Sequence, residues 1–519
     1  MNATTPLSNA LRQDLSLLNG LKRGIEREAL RVSPNGFLAS TDHPTALGSA
    51  LCHDAITTDY AEALLELITQ PQHSVEALLD ELNATHRFVA QNLGHEVLWC
   101  QSMPAHLPPE KDIRIAWYGP SNAGMVKHVY RRGLAERYGK RMQCIAGVHY
   151  NFSLPDALWG LLDAPGDTLQ EQRTQGYLAL IRNFTRYSWL LMYLFGASPL
   201  VSKDFLGGHS VALEQLAPDS YGLPWATSLR MSDLGYQNKE AQAELQLCYN
   251  DLDTLLLRMR HAATTDWPAY AQIGTHRDGE WIQLNNHILQ IENEYYSNIR
   301  PKRTTLPGER PLTALEKRGV EYIEVRCLDI DPNHPLGISP QSCYFLDTFL
   351  LFCAVEASPC FPDNGFCQAS KRNFAKVINE GRKPGLMLER PAKTDISLAD
   401  WANELLDRMQ PYAELLDEHD GFSAHQQALD AQRIKVNDPQ QTPSALWLQA
   451  VQASGLSLTD YTLQHSQALT QALQTQPLNP SRQALFEAES LRSLQAQAQI
   501  EAQDTESFDA FMQRFNSQL

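Results

Sequence analysis

Acidic residues recur at short, regular spacings in three stretches of the 519-residue chain. In Gly24-Ile25-Glu26-Arg27-Glu28 two glutamates stand two positions apart. On an extended strand such residues project to the same side. Their carboxylates repel unless a cation lies between them, so the pair is a candidate metal site. Asp59, Glu62 and Glu66 lie in a stretch rich in Ala, Leu and Glu. On a helix, spacings of three and four put them on one stripe. Tyr322, Glu324 and Arg326 share a strand face. A carboxylate beside a guanidinium suits a metal ligand next to a group that stabilises a transferring phosphoryl. His149 offers a neutral imidazole on the polar face it shares with Asn151 and Ser153. Glu292, Glu294 and Tyr296 share another face, and the two glutamates are candidates for a supporting or nucleotide-side role.

Taken singly, each set is more often a solvated or ion-paired surface, and a lone strand histidine is usually held by one hydrogen bond. Their joint presence is what points to one cavity with several metal sites. The chain has no P-loop, G-x-G-x-x-G, H-E-x-x-H or G-x-S-x-G motif. A bound triphosphate would then need metals held by carboxylates, because magnesium prefers oxygen ligands and bridges phosphate oxygens.

These residues require particular elements. Alternation predicts strands over 21–32, 143–154 and 322–330, with a strand-like run over 281–296. Composition and apolar periodicity predict helices over 8–20, 59–69, 74–92 and 168–195. Ile299-Arg300-Pro301-Lys302-Arg303 reads as a basic loop because of its proline. Residues 340–420 read as helices with loops at 360–365 and 381–385. After Pro439 the composition shifts to Gln, Ala, Leu and Ser, with Leu, Trp and Phe at helical spacing. The expected organisation is a domain at 1–435 carrying the chemistry, with a helical appendage, 436–519, packed on it. Strands and long helices alternate without a βαβ rhythm, which favours α+β.

A net charge of −17 opposes a phosphate-backbone partner, so no nucleic acid is expected. Nine cysteines, an odd number with no C-x-x-C pair, argue against a disulfide framework and a zinc ribbon. The N-terminus lacks signal-peptide character. The most apolar stretch, 189–201, is short for a membrane span and is broken by Gly196 and Pro199. The expectation is a cytoplasmic chain, by default a monomer, with no membrane association.

Several runs carry a resemblance to a known family. These are GIEREALRV (24–32), ITTDYAEALLELIT (56–69), GVHYNFSL (147–154), SLRMSDLGY (228–236), QIENEYYSNIRPKR (290–303), EYIEVRCLDIDPNHPLGI (321–338) and EGRKPGL (380–386). In this order they closely resemble the proteobacterial type of glutamate–cysteine ligase. The resemblance implies a glutamine-synthetase-like curved antiparallel sheet forming an active-site funnel, surrounded by helices. It implies ATP-dependent ligation of glutamate to cysteine through a γ-glutamyl phosphate, the first step of glutathione biosynthesis. ATP is then a co-substrate and Mg2+ the metal, with Mn2+ able to substitute. By the same resemblance Glu26, Glu28, Asp59, Glu66, His149 and Glu324 form the metal set, and Glu324 and Arg326 serve catalysis. Arg230, Tyr236 and Tyr296 resemble the pocket for cysteine, and Tyr130 and Arg131 border the substrate pockets. Tyr60, where Phe is usual, and His53-Asp54-Ala55 depart from the pattern without removing a charged group. A ligase for another amine, a phosphate-ester metallohydrolase and a non-catalytic acidic binding protein are the alternatives to test.

Overall fold

The computed structural model describes residues 11–519 except 163, 208–211, 236–239, 244, 246, 307, 363–366 and 391–393. Seven strands form the main sheet: β1 (Lys22–Val32), β2 (Ile56–Thr58), β3 (Leu64–Ile68), β4 (Val97–Leu98), β5 (Val148–Ser153), β6 (Ile299–Lys302) and β7 (Tyr322–Leu328). The order is β6-β7-β5-β1-β3-β2, with β4 pairing β1, and every pairing is antiparallel. With helices around this sheet, the fold is α+β.

β1 has two charged faces. Glu26 and Glu28 project to one side. Arg23, Arg27 and Arg31 project to the other, where they are buried with Ile25 and Ala29. A buried guanidinium needs a partner. Arg23 meets Asp347 at 2.6 Å, Arg31 meets Glu96 at 2.7 Å, and Arg27 donates to the Trp99 carbonyl at 3.2 Å. Asp347 also accepts from the Tyr150 hydroxyl at 2.8 Å, so one carboxylate ties β1 and β5 together from behind. Breaking such a buried pair typically costs about 3–5 kcal/mol.

Helix α1 (Val75–Asn92) starts at Ser74, whose side chain caps Ala77 N. Helix α2 (Asn122–Tyr138) starts at Ser121. Helix α3 (Leu169–Phe195) opens with a capping box of Thr168 and Glu171. Helix α4 (Pro340–Val355), which carries Asp347, is buried along nearly its whole length and packs on α3. Helices α5 (Gln368–Glu380), α6 (Leu398–Asp420) and α7 (Ala424–Asn437) complete this layer. Among the described residues no helix is long and apolar enough to cross a membrane.

Four more helices follow: α8 (Pro443–Ser454), α9 (Leu458–Thr475), α10 (Pro480–Gln503) and α11 (Phe508–Asn516). α9 lies on α1 and β4, and its hydroxyls satisfy backbone donors there. Leu98 N donates to Thr470 Oγ1 and Cys100 N to Ser466 Oγ, each at 3.1 Å. α10 crosses the chain at two glycines. A Cβ on Gly48 would lie 2.4 Å from Ser493 Oγ, and one on Gly119 would lie 2.3 Å from Gln497 and Glu501.

Four local expectations give way here. Residues 59–69 are a turn and strand β3, not a helix, because Leu64, Leu65 and Leu67 are buried as the segment pairs with β1 and β2. Ile299–Lys302 is the edge strand β6, not a loop, and an edge position tolerates Pro301. Within 281–296 only Glu280–Trp281 pairs as strand, and Glu292–Glu294 is a 3-10 turn. Of the expected helix over 8–20, residues 8–10 lie outside the described chain; a helical turn at 11–13 and a 3-10 helix, Leu15–Leu18, follow.

Candidate active site

The sheet registers bring distant residues into rows across one face. Glu26 lies opposite His149 on β5, and Glu28 lies opposite Glu66 on β3. Glu324 on β7 lies opposite Asn151 on one side and Arg300 on the other. β7 slips register between Val325 and Leu328, and Arg326 sits in that slip. Since strand residues of one parity share a face, one sheet surface carries both acidic and basic groups.

This face forms the floor of a cavity of about 280 Å³. Glu26, Glu28, Asp59, Glu66, His149 and Glu324 all line it, together with Arg326. α2 supplies Tyr130, Arg131, Leu134 and Tyr138 to its wall. Tyr296 lines it too.

The hydrogen bonds are dense on one side and incomplete on the other. His149 Nδ1 stands 3.1 Å from Glu26 Oε2 and 3.7 Å from Glu324 Oε1, and its Nε2 is 3.6 Å from Glu28 Oε1. Asn151 Nδ2 donates to Glu26 Oε1 at 2.9 Å, and Gly147 N donates to Glu28 Oε2. Glu324 Oε1 receives Arg326 Nη1 at 3.2 Å and Lys302 Nζ at 3.4 Å. Glu324 Oε2, Asn151 Oδ1 and Arg326 Nε are buried without a hydrogen-bond partner among the described residues. Donor atoms of Glu26, His149 and Glu324 all lie within 4.8 Å of one another.

The charges divide this cavity. Burial pushes Glu66 well above the ordinary carboxylate range, and repulsion from Glu26, Asp59 and Glu28 adds to it. Burial likewise raises Glu28, against the pull of His149. Burial opposes ionisation of Glu324, but Lys302, Arg326 and His149 outweigh it and hold that carboxyl well below the usual range. Glu26 is held low as well: burial and Glu324 push it up, and the His149 hydrogen bond and Lys302 prevail. One half of the cavity thus has carboxylates in excess of cations. A partnerless buried oxygen and four mutually repelling carboxylates are a donor set that fits hard divalent cations.

Arg131 is fixed by the wall it belongs to. Its Nε donates to the Asp59 carbonyl, its Nη2 lies 3.9 Å from Asp59 Oδ1, and it stacks on Tyr118 at 4.8 Å. Arg230 does not line the cavity. It is buried against Gly147, with Nη2 donating to the Arg326 carbonyl at 3.1 Å and Nη1 3.7 Å from Asp329. It therefore stands behind the wall and near Tyr296, whose hydroxyl reaches Met231 Sδ at 3.2 Å. Tyr236 lies outside the described residues.

Glu62 departs from its expected companions. It is buried outside the cavity and accepts from His43 N at 2.9 Å and Trp117 N at 2.8 Å. Glu292 is paired with Arg310 at 3.0 Å, away from the carboxylate group. Glu294 lines the cavity but is consumed by Arg137 at 3.0 Å and the Tyr138 hydroxyl at 2.6 Å. The sequence reading passed over Arg300 and Lys302, which line the cavity from β6. Their spacing of two was the available signal, hidden by the intervening proline.

The chain matches the family model described as glutamate-cysteine ligase over residues 8–377. It is 58% identical over 510 residues to a glutamate–cysteine ligase of Bordetella petrii, covering 98% of this chain and 96% of that protein. An Azotobacter vinelandii glutamate–cysteine ligase is 54% identical, covering 97% and 96%. The crystal structure of a Francisella tularensis glutamate–cysteine ligase in complex with AMP superposes with a TM-score of 0.89. It is 36% identical and covers 96% of this chain and 98% of that one.

Proposed function

The chain belongs to the glutamate–cysteine ligase family, and we propose that the carboxylate-lined cavity is where it carries out that family's reaction. The enzyme joins the γ-carboxylate of glutamate to the amine of cysteine, with ATP as co-substrate, giving γ-glutamylcysteine, ADP and phosphate. The observation that carries the assignment is convergence. Six metal-type side chains from segments as far apart as Glu26 and Glu324 meet beside four cations, Arg131, Arg300, Lys302 and Arg326.

A carboxylate does not react with an amine unaided, because oxide is too poor a leaving group. The γ-carboxylate of glutamate therefore attacks the γ-phosphorus of ATP and ADP leaves. The amine of cysteine then attacks the resulting acyl phosphate, and phosphate leaves with the electron pair of the broken C–O bond. Glu26, Glu28, Asp59, Glu66, His149 and Glu324 are the residues we assign to hold Mg2+, or Mn2+ in its place. When bound, the metal supplies positive charge that offsets the repulsion between phosphates and the attacking carboxylate. Arg326, pinned to Glu324 and backed by the Arg230 contact to its carbonyl, is placed to stabilise charge on the transferring phosphoryl. Glu324 orients that guanidinium. Tyr130, Arg131 and Tyr296 face the amino-acid side; Arg230 stands behind Tyr296 and, like Tyr236, is assigned to the cysteine pocket by resemblance.

An adjoining cavity of about 360 Å³ shares Asn293, Arg300 and Lys302 with the first, and Leu255, Leu312 and Tyr322 line it. We assign it to the nucleoside, because the shared cations let a triphosphate run from one space into the other. The catalytic assignments lie within 1–435, and we give residues 436–519 a bracing role. We place the protein in the cytoplasm, where a reducing environment keeps thiols such as its nine free cysteines. We take a monomer as the working unit.

Phosphate release with ATP, Mg2+ and glutamate, with and without cysteine, tests the reading. The expected outcome is release that depends on both amino acids, with a γ-linked dipeptide as product. Release without amino acids would make the protein a metallohydrolase. Release with another amine in preference to cysteine would make it a different ligase.

A further inference from the structure

α2 is the helix that presents Tyr130, Arg131, Leu134 and Tyr138 to the cavity. Its C-terminal half is held from within: Arg137 pairs with Glu294, and Gln290 Nε2 donates to the Tyr130 carbonyl at 3.1 Å. Its N-terminal half is held by the far end of the chain. The Asp504 carboxylate accepts from the Asn122 backbone N–H and, at 2.5 Å, from Asn122 Nδ2. Asn122 Nδ2 also donates to the Glu506 carbonyl at 3.0 Å.

Three facts make this more than a surface contact. Asn122 is the first residue of α2, so its backbone N–H has no partner inside the helix. The contact places a carboxylate at the positive end of a helix of 17 residues. Beyond Asp504, α11 packs Met512, Phe508, Phe511 and Phe515 into a cluster with Val129 and Leu284, and Tyr130 packs against the same cluster. A cavity residue thus packs against the same apolar cluster as the C-terminal helix. Ser121 already caps Gly124 N at 3.2 Å, so Asp504 is not needed merely to start the helix.

We infer that Asp504 is a positioning residue for the ligase reaction: it sets the axial placement of α2, and through it the placement of Tyr130 and Arg131 against the amino-acid substrates. This rests on the assignment of those two residues to the amino-acid side. On that assignment the triphosphate is held chiefly by Arg300 and Lys302 on the edge strand β6, so KM for ATP is expected to change less than KM for the amino acids. Small displacements of a positioning group cost up to about 100-fold in rate.

The test compares Asp504→Ala, Asp504→Glu and Asn122→Ala in the full-length protein by KM for cysteine, glutamate and ATP, by kcat, and by thermal unfolding. Asp504→Ala is expected to raise KM for one or both amino acids about tenfold, with KM for ATP within about twofold. Asn122→Ala should show the same split, and Asp504→Glu should recover part of it. Asn122→Ala retains the backbone contact, so it carries the test where Asp504→Ala yields too little folded protein. A folded variant whose three KM values stay together overturns the proposal. Arg131→Ala serves as the reference. If it leaves amino-acid KM values unchanged, the assignment of the cavity wall is at fault and not the role of Asp504.

Discussion

Glu28 on β1 faces Glu66 on β3 directly across an antiparallel pair. Like charges in that relationship destabilise a sheet, and burial raises the affinity of both groups for protons. The pair is therefore a local defect in the fold, one that a cation bound as we propose would offset.

Glu66→Gln is expected to stabilise the metal-free protein, by about 0.2–1 kcal/mol for the lost repulsion, and to remove most of the stabilisation that added Mg2+ gives to wild type. Thermal unfolding in EDTA and in Mg2+ checks this. A variant that is less stable than wild type in EDTA, and gains as much from Mg2+, would contradict it.

Arg326→Ala is expected to lower kcat about 10²–10³-fold, the usual effect of removing a charge-stabilising donor, while KM for ATP changes little. Steady-state kinetics decide. Unchanged turnover would remove Arg326 from the phosphoryl-transfer role.

Glu62→Gln separates the observed fold from the helix that the sequence suggests. A helical stripe would make Glu62 a companion of Asp59 and Glu66. Here Glu62 instead holds His43 N and Trp117 N. The variant is expected to lose stability, about 1.5–3 kcal/mol at most for hydrogen bonds to a charged group, with an unaltered Mg2+ dependence of kcat. A shifted Mg2+ dependence would place Glu62 in the metal set.

The acidic strand, the His149 strand and the Glu324 strand were legible because period-two alternation survives when one face is core and the other is a polar cavity. The Asp59–Thr69 segment was not, because Ala, Leu and Glu are strong helix formers. Its strand state comes from pairing with β1 and β2, contacts that no local window contains. Arg300 and Lys302 were hidden by Pro301, which reads as a turn and yet is tolerated on the sheet edge. The anchoring of α2 by Asp504 joins positions 382 residues apart, and nothing in either segment announces the other.

His86 on α1 makes stability depend on pH independently of the cavity. It is wholly buried, with Nδ1 2.8 Å from the Leu82 carbonyl oxygen. Burial, with Arg27 nearby, pushes its pKa down to about 3. Because the folded-state pKa lies below the ordinary value of 6.5, the unfolded chain takes up a proton first as pH falls. The stability contributed by neutral His86 is complete above about pH 6.5 and declines below it, by up to about 1.4 kcal/mol per pH unit. Urea unfolding from pH 7 to pH 5 should show a shallower decline in His86→Gln than in wild type. Parallel declines would contradict the assignment.

Glu26, Glu28, Asp59, Glu66, His149 and Glu324 are proposed to hold divalent cations together against a triphosphate. The most direct measurement is Mn2+ binding followed by electron paramagnetic resonance, with a non-hydrolysable ATP analogue present, in wild type, Glu66→Gln and Glu324→Gln. More than one bound Mn2+ in wild type, and fewer or weaker in each variant, is the result this account predicts. Identical stoichiometry and affinity in all three proteins would contradict it.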